Sequence, residues 1–274
     1  MATGVRGTVA VADGAALEVV SYGDGDPVAV IQTALTGDEL LPFTGRLGQG
    51  SRLRAIHLGR RGYGTVNGPG RSGATIADMA ADCRGAIDAL GAAPAHIVGA
   101  SFSCAVALSL ALLAPSHVRT LTLVEPPPVD GPAAEQFRVT TAELIATATT
   151  RGAAAALEEF MPRLYGQPWR EAPELGGPDV VAALERDAET FFAVDLPALL
   201  EWRVDAAALA AVQCPVMVIG GSESEAWFRA TQELLVQRLP LAEGGTVLGA
   251  GHLVATTHPR ELADLTTGFI QRQR

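Results

Sequence analysis

Short, continuously apolar runs alternate with longer segments of helical period along this chain, and that alternation most constrains its fold. Val28-Ala29-Val30-Ile31, Leu53-Arg54-Ala55-Ile56, His96-Ile97-Val98, Thr120-Leu121-Thr122-Leu123-Val124 and Val216-Met217-Val218-Ile219 read as strands, with Gly245-Thr246-Val247-Leu248 as the last. A strand apolar at every position, not every second one, needs cover on both faces. The expected architecture is therefore a mostly parallel sheet between helical layers. Thr8-Val9-Ala10-Val11 and Leu17-Glu18-Val19-Val20, joined across Asp13-Gly14, predict a hairpin before the first parallel strand. Thr75 to Leu90 is helical in period, with Thr75-x-x-Asp78 as its cap, and Pro115 stops the helix that follows Ser103. Trp227–Leu239 and Pro259–Gln271 predict the last two helices, and Asn67–Gly73 reads as a surface loop.

Between Asp130 and Ala211 strand signals vanish and Ala-rich, charged helical segments take over. The expected organisation is a core built from residues 1–129 and 212–274, interrupted by a helical cap over 130–211. A chain of 274 residues buries a substantial core in this way.

In such sheets chemistry belongs at the carboxyl ends of the strands. Four features lie there: Gln32-Thr33, Glu125, Gly99-Ala100-Ser101-Phe102-Ser103, and His252 within Gly249-Ala250-Gly251-His252. The stretch around Ser101 joins a strand to a helix through small residues. It approaches the G-x-S-x-G nucleophile elbow, with Ser103 in place of the last Gly. A serine hydroxyl is a poor nucleophile at neutral pH. It needs a base within hydrogen-bond reach, and the base gains from a carboxylate that fixes its tautomer. The bland reading makes Ser101 a turn residue and His252 a core or capping histidine. His57, His96, His117 and His258 lack comparable context and are expected at the surface or in loops.

Composition removes other classes. A net charge of -10 opposes nucleic acid and anionic membrane surfaces. No apolar run is long enough to span a bilayer, and the first residues do not open a signal peptide, so a cytoplasmic location is expected. All 20 basic residues are Arg, which with abundant Ala and Gly suggests a bacterial genome of high GC content. Cys83, Cys104 and Cys214 are far apart and set among apolar residues, as for reduced, buried thiols. No metal-ligand cluster, phosphate loop or dinucleotide fingerprint stands out, so no metal and no cofactor is expected; Gly220-Gly221-Ser222 lacks the G-x-G-x-x-G spacing. The expected partner is a small-molecule substrate, with self-association left open.

Over nearly its full length the chain resembles the α/β-hydrolase superfamily. The features that carry the resemblance are the initial hairpin, Arg60-Arg61-Gly62-Tyr63-Gly64, the elbow, the helical insert, and Gly251-His252 before the C-terminal helix. The resemblance implies Ser101 as nucleophile and His252 as general base. It also implies the backbone N–H groups of Phe102 and Ala34 as oxyanion donors. The sequence departs from the family pattern in three places. Gln32-Thr33 replaces the usual His-Gly pair, and the Gln32 amide could instead face the pocket. Ser103 replaces Gly. Ser224 falls where the family normally carries its Asp, between Glu223 and Glu225. Glu125 is then the first choice for the acid, because haloalkane dehalogenases place a Glu at this point. Glu223 is the alternative, and a dyad without an acid stays open. Ser101 speaks against dehalogenase and epoxide hydrolase chemistry, which use Asp at the elbow. Arg60-Arg61 reads as structural or as an anion clamp. Phe160, Tyr165, Trp169, Phe191, Phe192 and Trp202 divide between pocket lining and cap core.

Two functions follow. One is a serine hydrolase acting on a small or medium apolar ester, lactone or related acyl substrate, carbon–carbon bonds included. The alternative is a non-hydrolytic enzyme of the same fold, a lyase, isomerase or cyclase with an altered oxyanion hole. A non-catalytic binder ranks last, because Ser and His are both present.

Overall fold

A computed structural model describes residues 4–50, 52–64, 70–128 and 131–273. The strands are β1 (Val5–Ala10), β2 (Ala16–Tyr22), β3 (Asp26–Ile31), β4 (Leu53–Leu58), β5 (Ala95–Ala100), β6 (Val118–Val124), β7 (Val216–Gly221) and β8 (Ala242–Val247). They form one sheet in the order β1-β2-β4-β3-β5-β6-β7-β8. β1 pairs antiparallel with β2 and β2 with β4, and every later neighbour is parallel. The mostly parallel sheet and the leading hairpin are as expected.

The helices are α1 (Leu41–Gly48), α2 (Ile76–Ala89), α3 (Ser103–Leu113), α4 (Gly131–Arg151), α5 (Ala153–Tyr165), α6 (Pro178–Thr190), α7 (Leu196–Glu201), α8 (Ala206–Ala210), α9 (Ala226–Arg238), α10 (Val254–Thr257) and α11 (Pro259–Arg272). The sheet separates two apolar layers, which is why its central strands are buried on both faces. On one side Ile97, Leu121 and Val218 pack with α2 and α3 residues such as Ile87 and Leu110. On the other Val98, Val124 and Ile219 pack with Phe43, Leu262 and Phe269. α2 starts at a reciprocal cap: Asp78 N–H donates to Thr75 Oγ1 at 3.1 Å, and Thr75 N–H to Asp78 Oδ2 at 2.9 Å.

Among the described residues between β6 and β7 there is no strand. These helices have their own apolar core, in which Leu157, Met161, Trp169, Leu184 and Phe192 join Leu35 from the loop after β3. None of the described helices is long and apolar enough to cross a membrane.

Some local expectations fail. β8 runs over Ala242–Val247, and Leu248 lies beyond its pairing with β7 and is 81% exposed. Gly244 and Gly245, poor strand formers, obscured its start. His57 and His96 are buried in β4 and β5, not at the surface. Residues 65–69, which include the first three of the expected loop at 67–73, lie outside the described residues.

Candidate active site

The turn between β5 and α3 places Ser101 at φ 49°, a left-handed conformation costly for a residue with a Cβ. Two contacts hold it there. Ser101 N–H donates to Val124 O at 2.8 Å, and Cys104 N–H donates to Ser101 O at 3.0 Å. The turn is so tight that a Cβ on Gly99 would meet Ser103 O at 2.4 Å, so the small residue there is obligatory. Ser103, which stands where a second glycine was expected, adds its own ties. Its Oγ accepts from Ala100 N–H at 2.9 Å and lies 2.9 Å from Ile31 O, linking the turn to the end of β3.

Ser101 Oγ lies 3.1 Å from His252 Nε2, and His252 Nδ1 lies 3.2 Å from Glu125 Oε2. Glu125 follows β6 at φ 51° and is 2% exposed. Its other oxygen, Oε1, accepts from Gly221 N–H and from Ser224 Oγ, each at 2.7 Å. A carboxylate only accepts, so Nδ1 of His252 carries the proton and Nε2 offers its lone pair to the serine hydroxyl. The His252 ring also stacks on Phe228, with centroids 4.2 Å apart and planes inclined by 22°. The His loop packs against the end of β7: Glu223 N–H donates to Ala250 O at 2.8 Å.

The geometry thus brings together Ser101, His252 and Glu125. Glu223 lies at the wall of the adjoining cavity, where Ser222 Oγ donates to it at 3.2 Å, and Glu125 stands on His252 in its place. Ser224 occupies the position expected to carry an acid, and its hydroxyl braces the acid on the neighbouring strand.

Ala34 and Phe102 both line the cavity beside Ser101. Among the described residues neither N–H is spent on an intramolecular hydrogen bond. The loop between them and β3 is held from several sides. Leu35, at φ 68°, donates its N–H to Tyr63 Oη at 2.9 Å, Thr33 Oγ1 donates to Ala100 O at 3.0 Å, and Thr36 N–H donates to Ala34 O at 2.8 Å.

Gln32 corrects an expectation. It is buried at the root of this loop and does not line the cavity, because its Oε1 accepts from Arg60 N–H at 2.9 Å. Nor is Arg60-Arg61 an anion clamp. Arg60 forms a buried bidentate pair with Asp195, and Arg61 pairs with Asp82 at 2.6 and 2.7 Å.

The cavity holds about 910 Å³ between the helical insert and the strand ends, within the usual range for small-molecule sites. Leu144, Phe160, Met161, Phe191 and Leu199 give it an apolar wall, and Tyr165 also lines it. Trp169 and Phe192 are core of the insert, and Trp202 donates its Nε1–H to Ser109 Oγ at 3.0 Å on α3. Phe137, Trp227 and Phe228 also line it and carry no motif that would reveal them. Glu39 is another lining residue missed in the sequence. Burial raises its carboxyl pKa, partly offset by the Thr36 hydroxyl bonded to it and by the field of His252. Thr36-x-x-Glu39 repeats the Thr75-x-x-Asp78 spacing, which is the signal that could have found it.

Among the described residues no three His, Cys, Asp or Glu side chains converge as metal ligands. Cys83, Cys104 and Cys214 are free, and burial pushes the Cys83 thiol up to about 12.

No curated protein sequence matches this chain. Solved structures do. A thermophilic esterase from Thermogutta terrifontis is 22% identical, with a TM-score of 0.80 over 99% of each chain. An enol-lactonase from Burkholderia xenovorans is 18% identical, with a TM-score of 0.79 over 97% of this chain and 100% of that one. An epoxide hydrolase from Vigna radiata is 20% identical, with a TM-score of 0.77 over 98% of both. At these identities the likeness establishes the fold alone, and the three names show how much chemistry the fold accommodates. The sequence profile of the Alpha/beta hydrolase family matches residues 35–265, and with the sheet order, the strand-to-helix turn at Ser101 and the histidine loop after β8, it shows that this chain belongs to the alpha/beta hydrolase family.

Proposed function

We propose that the chain is a serine hydrolase acting on an apolar ester, lactone or related acyl substrate of small to medium size. The observation that carries this reading is the unbroken hydrogen-bonded line from Ser101 Oγ through His252 to Glu125, with the Ala34 and Phe102 N–H groups unspent beside it. Ser101 Oγ attacks the acyl carbon as its proton passes to His252 Nε2. Glu125 supports the resulting imidazolium through Nδ1–H. The tetrahedral oxyanion lies against the N–H groups of Phe102 and Ala34. Collapse expels the alkoxide, which takes the proton from His252, and leaves an acyl group on Ser101. Water, deprotonated by His252, repeats the sequence and frees the acid. An N–H aimed at the oxyanion contributes a few kcal/mol only once negative charge develops there.

Residues 130–211 act as a cap over this site, and their apolar side chains select the acyl chain. The non-hydrolytic reading rested on the altered His-Gly site, with Gln32 free to act in the pocket, and on the missing Asp; Gln32 Oε1 is instead bonded to Arg60 and Glu125 faces His252, which favours hydrolysis. Steady-state hydrolysis of p-nitrophenyl esters of increasing acyl length and of simple lactones tests the reading. Turnover is expected to vanish in Ser101→Ala. Turnover unchanged in that variant would refute it.

A further inference from the structure

The residues that line up the proposed oxyanion site are themselves gathered around one buried ion. Arg60 follows β4 and is 4% exposed, and Asp195 closes a π-helical turn, Phe191–Asp195, at the end of α6 in the helical insert and is 1% exposed. Arg60 Nη1 donates to Asp195 Oδ1 at 2.9 Å and Nη2 to Oδ2 at 2.5 Å. Burial works against the guanidinium charge, and Asp195 more than offsets it, so Arg60 stays firmly protonated.

The remaining contacts of Arg60 are specific in where they point. Nε donates to Gln32 O at 3.0 Å and Nη2 to Thr33 O at 3.2 Å, the two carbonyls just before Ala34. The guanidinium carbon lies 4.4 Å from the Phe102 ring centroid and 4.9 Å from that of Tyr63. Tyr63 completes the circuit, because its hydroxyl donates to Asp195 Oδ2 and accepts from Leu35 N–H, just after Ala34. One guanidinium and one phenol therefore touch the chain on both sides of Ala34 and the side chain of Phe102. Both are fastened to a carboxylate from the insert, whose neighbours Phe191 and Leu196 line the cavity. π-helical turns are uncommon and concentrate at functional positions.

We propose that the Asp195–Arg60–Tyr63 cluster is a positioning device that ties the cap to the oxyanion loop, so that the seated cap sets the aim of the Ala34 and Phe102 N–H groups. This rests on the serine hydrolase reading. None of the three residues touches substrate; they act through the loop they hold. Ground-state binding depends on the apolar walls, whereas the loop matters only when an oxyanion forms. Loosening the cluster therefore lowers kcat and leaves KM nearly alone. A misaimed group near the reacting centre costs roughly tenfold to a hundredfold in rate.

The test uses Tyr63→Phe and the paired replacement Arg60→Met with Asp195→Leu. The first removes one oxygen and keeps the ring against Arg60. The second removes both charges together, so neither is left buried alone. Met79→Leu is the control, since it replaces the sulfur that accepts from Arg60 Nη1 at 3.4 Å and leaves Asp195, Tyr63 and the loop carbonyls in place. Thermal unfolding of each protein is recorded first. Expected for the first two variants is a kcat lower by about tenfold or more, a KM within about twofold of wild type, and labelling of Ser101 by a fluorophosphonate slowed by the same factor as kcat, because phosphonylation uses the same two N–H groups. The Met79 variant is expected to keep wild-type kcat. Folded variants that keep wild-type kcat and labelling rate, or that change KM alone, overturn the proposal while leaving the hydrolase reading intact. Wild-type protein that neither turns over esters nor labels overturns both.

Discussion

Glu125→Gln should cost far more activity than so small a change suggests, and the reason lies in what surrounds the carboxyl. Oε1 accepts from two donors, Gly221 N–H and Ser224 Oγ, at 2.7 Å each. In the Gln variant those donors fix the amide oxygen at the same place. The NH2 group is then forced toward His252 Nδ1, where Oε2 stood at 3.2 Å. An amide N–H can only donate, so Nδ1 must become the acceptor and the ring proton moves to Nε2. That nitrogen faces Ser101 at 3.1 Å and can no longer take its proton. A wrong-tautomer histidine in such a triad lowers kcat by about 10⁴, equivalent to about 5.4 kcal/mol at 1.36 kcal/mol per tenfold. The assay is kcat/KM on a p-nitrophenyl ester found to be turned over by wild type, with circular dichroism and thermal unfolding to confirm the fold. Activity within about tenfold of wild type in folded Glu125→Gln would refute the reasoning. The acid would then be elsewhere, or the dyad would suffice.

Other predictions follow the same logic. Glu223→Gln should leave kcat/KM within about twofold, because Glu125 and not Glu223 faces His252, and a large loss would reinstate Glu223 as the acid. Ser103→Ala orphans the buried Ala100 N–H and should lower unfolding free energy in urea by about 1–3 kcal/mol. His57 is buried in β4, and burial, with a smaller contribution from Arg6, depresses its pKa from 6.5 to about 4. The unfolded chain therefore binds more protons than the folded one between these values. The stability that neutral His57 represents is full above pH 6.5, falls as the pH drops, and is lost by about pH 4. The loss amounts to at most about 3 kcal/mol. Urea titrations at pH 7 and pH 4 should show His57→Leu shedding less stability than wild type across that interval.

The layered fold was legible because runs such as Val28–Ile31 and Val216–Ile219 are apolar at consecutive positions, and only a sheet covered on both sides accommodates that. Ser101 and His252 were legible from where they fall, at the carboxyl ends of strands that run parallel. The acid was not. Its anchors, Gly221 N–H and Ser224 Oγ, lie about a hundred positions away and meet Glu125 only because β6 and β7 are neighbours. Gln32 misled for a related reason: adjacency to the oxyanion loop says nothing about which N–H claims its Oε1, and that donor belongs to the next strand's end. Tyr63 and Phe228 act through long-range contacts, with Leu35 and Asp195 and with His252, and no periodicity or spacing records such contacts; of the missed residues only Glu39 carries a spacing signal, Thr36-x-x-Glu39. β8 escaped exact placement because glycines at 244 and 245 carry no β-branched signature.

The most direct measurement is intact mass after exposure to a small fluorophosphonate, on wild type and on Ser101→Ala. A single adduct on wild type, mapped to Ser101 and missing from the variant, is the predicted result, because only an activated hydroxyl beside working oxyanion donors reacts in this way. Folded wild-type protein that takes up no adduct, or a variant labelled as readily as wild type, would contradict the claim that Ser101 is this molecule's nucleophile.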